Sequence, residues 1–169
     1  MNALVVIDVQ TALFQKNTPV YREETLLANI NALADAFHGR SLPVFFIHHA
    51  NTSWLRADTP GWQLHSSLHM LPGDALLGKK VGNAFQEQAV VSALRARDVD
   101  SVVVAGLVTH GCVRASCEGA LRTGYAVTLA ADAHSSFNAD AAELIAQWNE
   151  KLASLGVAVH GTAQIIAGL

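Results

Sequence analysis

Short, nearly unbroken apolar runs alternate along the chain with longer stretches in which apolar positions recur at three and four. "ALVVI" (3–7), "PVFFI" (43–47), "SVVVA" (101–105) and "AVTLAA" (126–131) are brief and rich in β-branched residues, as strands covered on both faces should be. Between and after them, Leu26, Leu27, Ile30, Leu33, Ala34 and Phe37, then Val90 and Leu94, then Leu144, Ile145, Trp148 and Leu152 mark the apolar sides of helices. Parallel neighbours need crossover connections, so the order predicts an α/β fold: a three-layer, doubly wound, mostly parallel sheet with helices on both faces. "GVAVHG" (156–161) is placed as a last short strand. The stretch Ala50 to Gly78 shows neither period and reads as one long functional loop, carrying Trp54, Trp62, His65 and His69 among its prolines and glycines.

Composition narrows the setting. With 169 residues the chain is read as one domain, 1–169, large enough to bury a real core. A charged fraction of 15%, a net charge of −3 and the lack of a basic run speak against a nucleic-acid partner. No apolar run reaches the roughly 20 residues that cross a bilayer, and no basic leader precedes "ALVVIDVQ"; a cytoplasmic location without a membrane partner is expected. Cys112 and Cys117 are five apart, unlike a CxxC spacing, so both are expected as free thiols.

Doubly wound sheets place ligands beyond the carboxyl ends of their strands, and here those ends are chemical. Asp8 follows the first run, His48 and His49 the second, Gly106 to Cys112 the third, and Asp132 with His134 the fourth. Singly, each has an ordinary explanation: a helix cap, a satisfied histidine, a buried cysteine. Cys112 is the most specific, because a strand, a glycine-bearing turn and the opening of "CVRASCEGALRT" would expose its sulfur to a helix N-terminal field, which lowers a thiol pKa. Cys117 is assigned to packing, and Asp8 is the carboxylate available as proton acceptor.

"VVIDVQTALF", "KKVGNAF", "AGLVTHGCV" and "LRTGYAVTLAADAHSSF" closely resemble the isochorismatase-like cysteine hydrolases, the superfamily that includes nicotinamidases and N-carbamoylsarcosine amidohydrolases. The resemblance, running from Leu4 to about Phe137, implies a Rossmann-like fold and a catalytic triad of Asp8 as general base, Lys79, and Cys112 as nucleophile. Lys79 is chosen over Lys80 because the motif lysine lies six residues before Phe85. It also implies a cis peptide at Leu107–Val108, an oxyanion hole formed by the N–H groups of Val108 and Cys112, and a homo-oligomer.

The chain departs from the pattern in three places. Nicotinamidases hold a metal through an Asp-x-His pair and a later His, and "FIHHANTSW" has no aspartate; no metal and no cofactor are expected, with His48, His49 and His65 the residues that would hold one. His110 and Gly111 replace the usual pair between threonine and cysteine, and Glu87–Gln88 replace the frequent Gly-Thr after Phe85. Phe14, Trp54, Trp62, Phe85 and His110 are the candidates for lining a substrate pocket, the alternative being that the aromatics are core. The implied activity is hydrolysis of a C–N bond in a small amide or carbamoyl compound through a thioester. Isochorismatase-type ether hydrolysis, and a non-catalytic binding or thiol-sensing role on the same fold, are the alternatives. A flavodoxin-like cofactor binder is disfavoured because no glycine-rich phosphate loop follows "LVVID".

Overall fold

A computed structural model describes all residues from Met1 to Leu169. Six parallel strands form one sheet: β1 (Asn2–Ile7), β2 (Val44–His49), β3 (Ala75–Lys79), β4 (Ser101–Leu107), β5 (Ala126–Ser135) and β6 (Ala158–His160), in the order β3-β2-β1-β4-β5-β6. Alternation along each strand sorts the core into two layers. Val5, Ile7, Phe45, Ile47, Val102 and Val104 face α3 (Gln88–Arg95), α4 (Arg114–Arg122) and α5 (Ala141–Ser154). Their neighbours Leu4, Val6, Phe46, Val103 and Ala105 face α1 (Thr11–Phe14), α2 (Glu23–Gly39) and α6 (Thr162–Ala167). Strands packed on both faces have no polar side, which is why the central ones read as continuous apolar runs. No helix is long and apolar enough to cross a membrane.

Two elements differ from the sequence reading. The expected long loop ends early, because Ala75–Lys79 forms β3, the edge strand paired in register with β2 from Phe45↔Ala75 to His49↔Lys79. Asp132 and His134 follow the fourth apolar run but do not lie beyond a strand end: β5 continues through them, past an irregularity opposite Val104–Gly106, and rejoins β4 at Gly106↔His134. Both polar side chains are satisfied there. The Asp132 carboxylate accepts the Thr162 N–H and hydroxyl at the start of α6, and His134 has partners described below.

Candidate active site

The chain winds outward from β1 in one direction and from β4 in the other, so a crevice opens between their carboxyl ends, the position where sheets of this order bind ligands. Asp8 is the first residue beyond β1 and adopts a left-handed φ of 51°, a conformation Asp tolerates better than most side chains. Beside it Gly106 has φ +117°, and a Cβ there would run into the Ile7 backbone; only glycine lets β4 lie this close to β1. The Leu107–Val108 peptide is cis, at the bond the resemblance singled out. A wide turn, Thr109–Val113, then leads into α4, and Gly111 kinks it with φ −106° and ψ −108°, placing Cys112 just after the kink.

Lys79 joins these residues. Its side chain is fully buried, with Nζ 2.7 Å from Asp8 Oδ2 and donating to Cys112 Sγ at 3.2 Å. Nζ also donates to His49 Nδ1 and to the Val81 carbonyl, each at 3.3 Å. Three positions far apart in sequence thus meet around one ammonium, itself delivered by an edge strand. Lys80, its exposed neighbour, faces away, and its backbone N–H donates to Glu87 Oε1. Glu87 therefore ties the Lys79 turn to the start of α3.

Burial dominates the proton affinities. Loss of water raises the Asp8 carboxyl above the ordinary carboxylate range, against the Lys79 charge and hydrogen bonds from Lys79 and Cys112, which pull it down. The Cys112 thiol is pushed up to about 11, first by burial and then by the Asp8 carboxylate, with Lys79 opposing. The expected lowering by a helix terminus is thus reversed: the sulfur sits in an irregular turn ahead of α4, enclosed beside a carboxylate. At neutral pH the resting thiol keeps its proton next to a carboxylate whose basicity burial has increased. Asp8 Oδ1 is buried and makes no hydrogen bond with the rest of the protein.

The proposed pocket aromatics divide. Trp62 stacks on His48 with ring centroids 4.0 Å apart, and its buried Nε1 has no partner; His110 Nδ1 is likewise unpaired. Phe14 packs on His65 at 4.6 Å. Trp54 is 47% exposed, with Lys16 Nζ 3.8 Å above its ring. Phe85 is a correction: at 4% exposure, 5.5 Å from Tyr125 in the layer under the sheet, its place is core. Cys117 is fully buried, as packing requires. His48, His49 and His65 each face a different neighbour, and no three His, Cys, Asp or Glu side chains gather as a metal donor set, so the nicotinamidase type of metal site does not fit these residues.

Other contributors escaped the sequence reading. Gln10, fully buried, accepts the His49 N–H at 2.8 Å and donates to the His49 carbonyl at 3.0 Å and the Trp62 carbonyl at 2.7 Å, clamping the end of β2 to the loop. Its only sequence signal is a polar residue two beyond Asp8 inside an apolar context. Behind the Thr109–Val113 turn, His134 Nε2 lies 2.9 Å from Asn149 Oδ1 and Nδ1 lies 2.9 Å from Thr109 Oγ1. The amide oxygen only accepts, so Nε2 carries the proton and the Thr109 hydroxyl donates to Nδ1.

Comparison with known proteins places these residues in a family. A family model described as the Isochorismatase domain matches residues 2–163. Streptothricin hydrolase of Streptomyces noursei is 29% identical over 146 residues, 84% of this chain and 52% of that protein, so the chain spans about half of that relative's length. Maleamate amidohydrolase of Pseudomonas putida is 40% identical over 53 residues, 31% of this chain and 25% of that protein. Among solved structures, a putative isochorismatase from Burkholderia xenovorans superposes with a TM-score of 0.87 at 28% identity, covering 98% of this chain and 86% of the other. A cysteine hydrolase from Pseudomonas syringae pv. phaseolicola gives 0.91 at 21%, covering 98% and 91%, a likeness of fold.

Proposed function

This chain belongs to the isochorismatase family, and on that footing we propose that it is a cysteine hydrolase cleaving a C–N bond in a small amide or carbamoyl-type compound through a thioester. The observation that carries the reading is the buried Lys79 ammonium, within 2.7 Å of the Asp8 carboxylate and 3.2 Å of the Cys112 sulfur. A thiol whose proton is held to about 11 needs a base already in place and a cation to receive the thiolate, and both are there. The relative named as an amidohydrolase favours an amide as substrate.

In this mechanism Asp8 takes the thiol proton while Lys79 stays beside the forming thiolate. The sulfur attacks the substrate carbonyl, and its oxygen gathers negative charge in front of the Val108 and Cys112 N–H groups, which stabilise it. Collapse breaks the C–N bond, and Asp8 returns the proton to the departing nitrogen, leaving an acyl thioester on Cys112. Water then gives a proton to Asp8 and attacks the thioester; collapse releases the acid and restores the thiol. Burial suits Asp8 to both halves, since a carboxyl raised above its usual range is a stronger base and still an adequate acid.

The test is a screen for released ammonia over nicotinamide, carbamoyl compounds and aliphatic amides, with Cys112→Ala as the blank. Turnover of at least one amide, lost in the variant and accompanied by an acyl mass on Cys112 after rapid acid quench, is the expected result. Turnover that survives Cys112→Ala would remove the nucleophile and the mechanism with it.

A further inference from the structure

We propose that His49 is a positioning residue for the nucleophile: its unprotonated Nδ1 holds the Lys79 ammonium in the orientation that reaches Cys112 Sγ. The inference rests on the Asp8–Lys79–Cys112 reading above. His49 and Lys79 are register partners at the ends of β2 and β3, so alternation turns both side chains to the same face of the sheet, toward Asp8 and Cys112. An ammonium has three protons to give and no lone pair to offer. The contact of 3.3 Å between Nζ and Nδ1 therefore has one possible polarity: Nδ1 accepts, and the imidazole is neutral with its proton on Nε2.

Lys79 Nζ faces four acceptors, namely Asp8 Oδ2, Cys112 Sγ, His49 Nδ1 and the Val81 carbonyl. Of these the carboxylate attracts it most strongly. Without the imidazole, Asp8 Oδ2, Cys112 Sγ and the Val81 carbonyl remain around the ammonium, and with one competing acceptor gone the group is free to settle onto Asp8 and away from sulfur. The thiolate then loses part of its counter-charge.

The surroundings keep His49 in the accepting form. Burial and the Lys79 charge oppose its protonation, while the carboxylates of Asp8 and Glu87 favour it less strongly. Its backbone is fixed independently, since Gln10 takes the His49 N–H and donates to its carbonyl. The imidazole thus stands as a fixed acceptor rather than a mobile base.

The probe is iodoacetamide, because below the thiol's titration its rate at Cys112 follows the thiolate fraction and requires no known substrate. Three variants separate acceptor from bulk. Asn places an amide oxygen near the position of Nδ1, Gln carries its amide out toward Nε2, and Leu keeps volume without polarity. Cys112 alkylation, followed by peptide mapping at pH 7 to 9 in protein with wild-type circular dichroism, should slow about tenfold or more in His49→Leu and His49→Gln, the scale of one hydrogen bond to a charged group. His49→Asn should return to within about threefold of the wild-type rate, on the same reasoning. Equal rates in all four proteins, or an Asn variant as slow as Leu, would overturn the proposal. Lys79→Met in the same assay tells the two readings apart. If it too leaves the rate unchanged, the triad reading fails; if it alone slows the reaction, only the role of His49 falls.

Discussion

Acidification from pH 7 to pH 5 should destabilise this protein through His134 by an amount the structure allows to be worked out. The side chain is 3% exposed, between Thr109 and Asn149, and burial lowers its pKa to about 4 even though Asn149 and Asp132 act in the opposite direction. In the unfolded chain it returns to its ordinary value of 6.5. Because the folded value is the lower one, the unfolded state takes up the proton first. Stability present above pH 6.5 is lost as pH falls toward 4, amounting to about 2 kcal/mol between pH 7 and pH 5 and about 3 kcal/mol in all. His48 and His49, also lowered, add loss of the same sign, and the raised Asp8 carboxyl works against it, so the measurement must isolate His134. His134→Gln keeps a donor toward Asn149 and cannot titrate. Urea melts of both proteins at pH 7, 6 and 5 should show the wild type losing about 2 kcal/mol more than the variant, roughly 4–8 °C in Tm for a chain of this size. Parallel losses in the two proteins would refute the argument, and with it the neutral, doubly bonded imidazole behind the Thr109–Val113 turn.

Adjacent lysines should behave as opposites: Lys79→Met leaves the buried Asp8 charge without its partner and should cost about 3–5 kcal/mol, slow Cys112 alkylation and reduce turnover by orders of magnitude, whereas exposed Lys80→Met should stay within about 0.5 kcal/mol of wild type in urea melts. Limiting iodoacetamide should label Cys112 before Cys117, whose thiol is held near 12 in the core, and the Cys112 rate should climb about tenfold per pH unit through neutrality, as peptide mapping can follow. Phe85→Ala should cost about 3–5 kcal/mol as a core truncation, while Trp54→Ala, losing a solvent-side contact with Lys16, should cost less than about 1 kcal/mol; equal losses would return Phe85 to the list of pocket residues.

The legible parts of this fold were those whose side chains bury on both faces. β1, β2, β4 and the first half of β5 announce themselves as apolar runs. β3 does not, because an edge strand five residues long leaves Leu76 and Gly78 exposed and ends in a lysine, a pattern too short and mixed for either period. The second half of β5 hid behind Asp132 and His134, polar residues whose partners on α6, α5 and the Thr109–Val113 turn are invisible to local pattern. Asp8, Lys79 and Cys112, which the fold brings together, were named in advance by the family resemblance. Gln10 was not reached, and His49 was reached only as a strand-end residue and metal-ligand candidate, since the hydrogen bonds that join both to the site close only when β1, β2 and β3 lie side by side. The Cys112 proton affinity was misjudged for a related reason: a helix terminus can be read along the chain, but the depth of burial and the carboxylate beside the sulfur come from tertiary structure.

The site's one buried cation is carried by its least anchored strand. β3 pairs with β2 on one side alone, whereas Asp8 and the Cys112 turn extend from β1 and β4 at the middle of the sheet. Peeling of that edge breaks the β2 ladder, the Lys79 contacts and the Lys80–Glu87 bond but leaves the pairing of β1, β2, β4 and β5 intact, so it is accessible at a lower free energy than global unfolding. An opening of this kind would carry Lys79 out of the site while Asp8 and Cys112 remained in place, leaving a folded protein in which the proposed hydrolysis is switched off. Activity should then fade with urea before the near-ultraviolet signal of the core does, and the amides of Ala75 to Lys79 should exchange with deuterium ahead of those in β1 and β4.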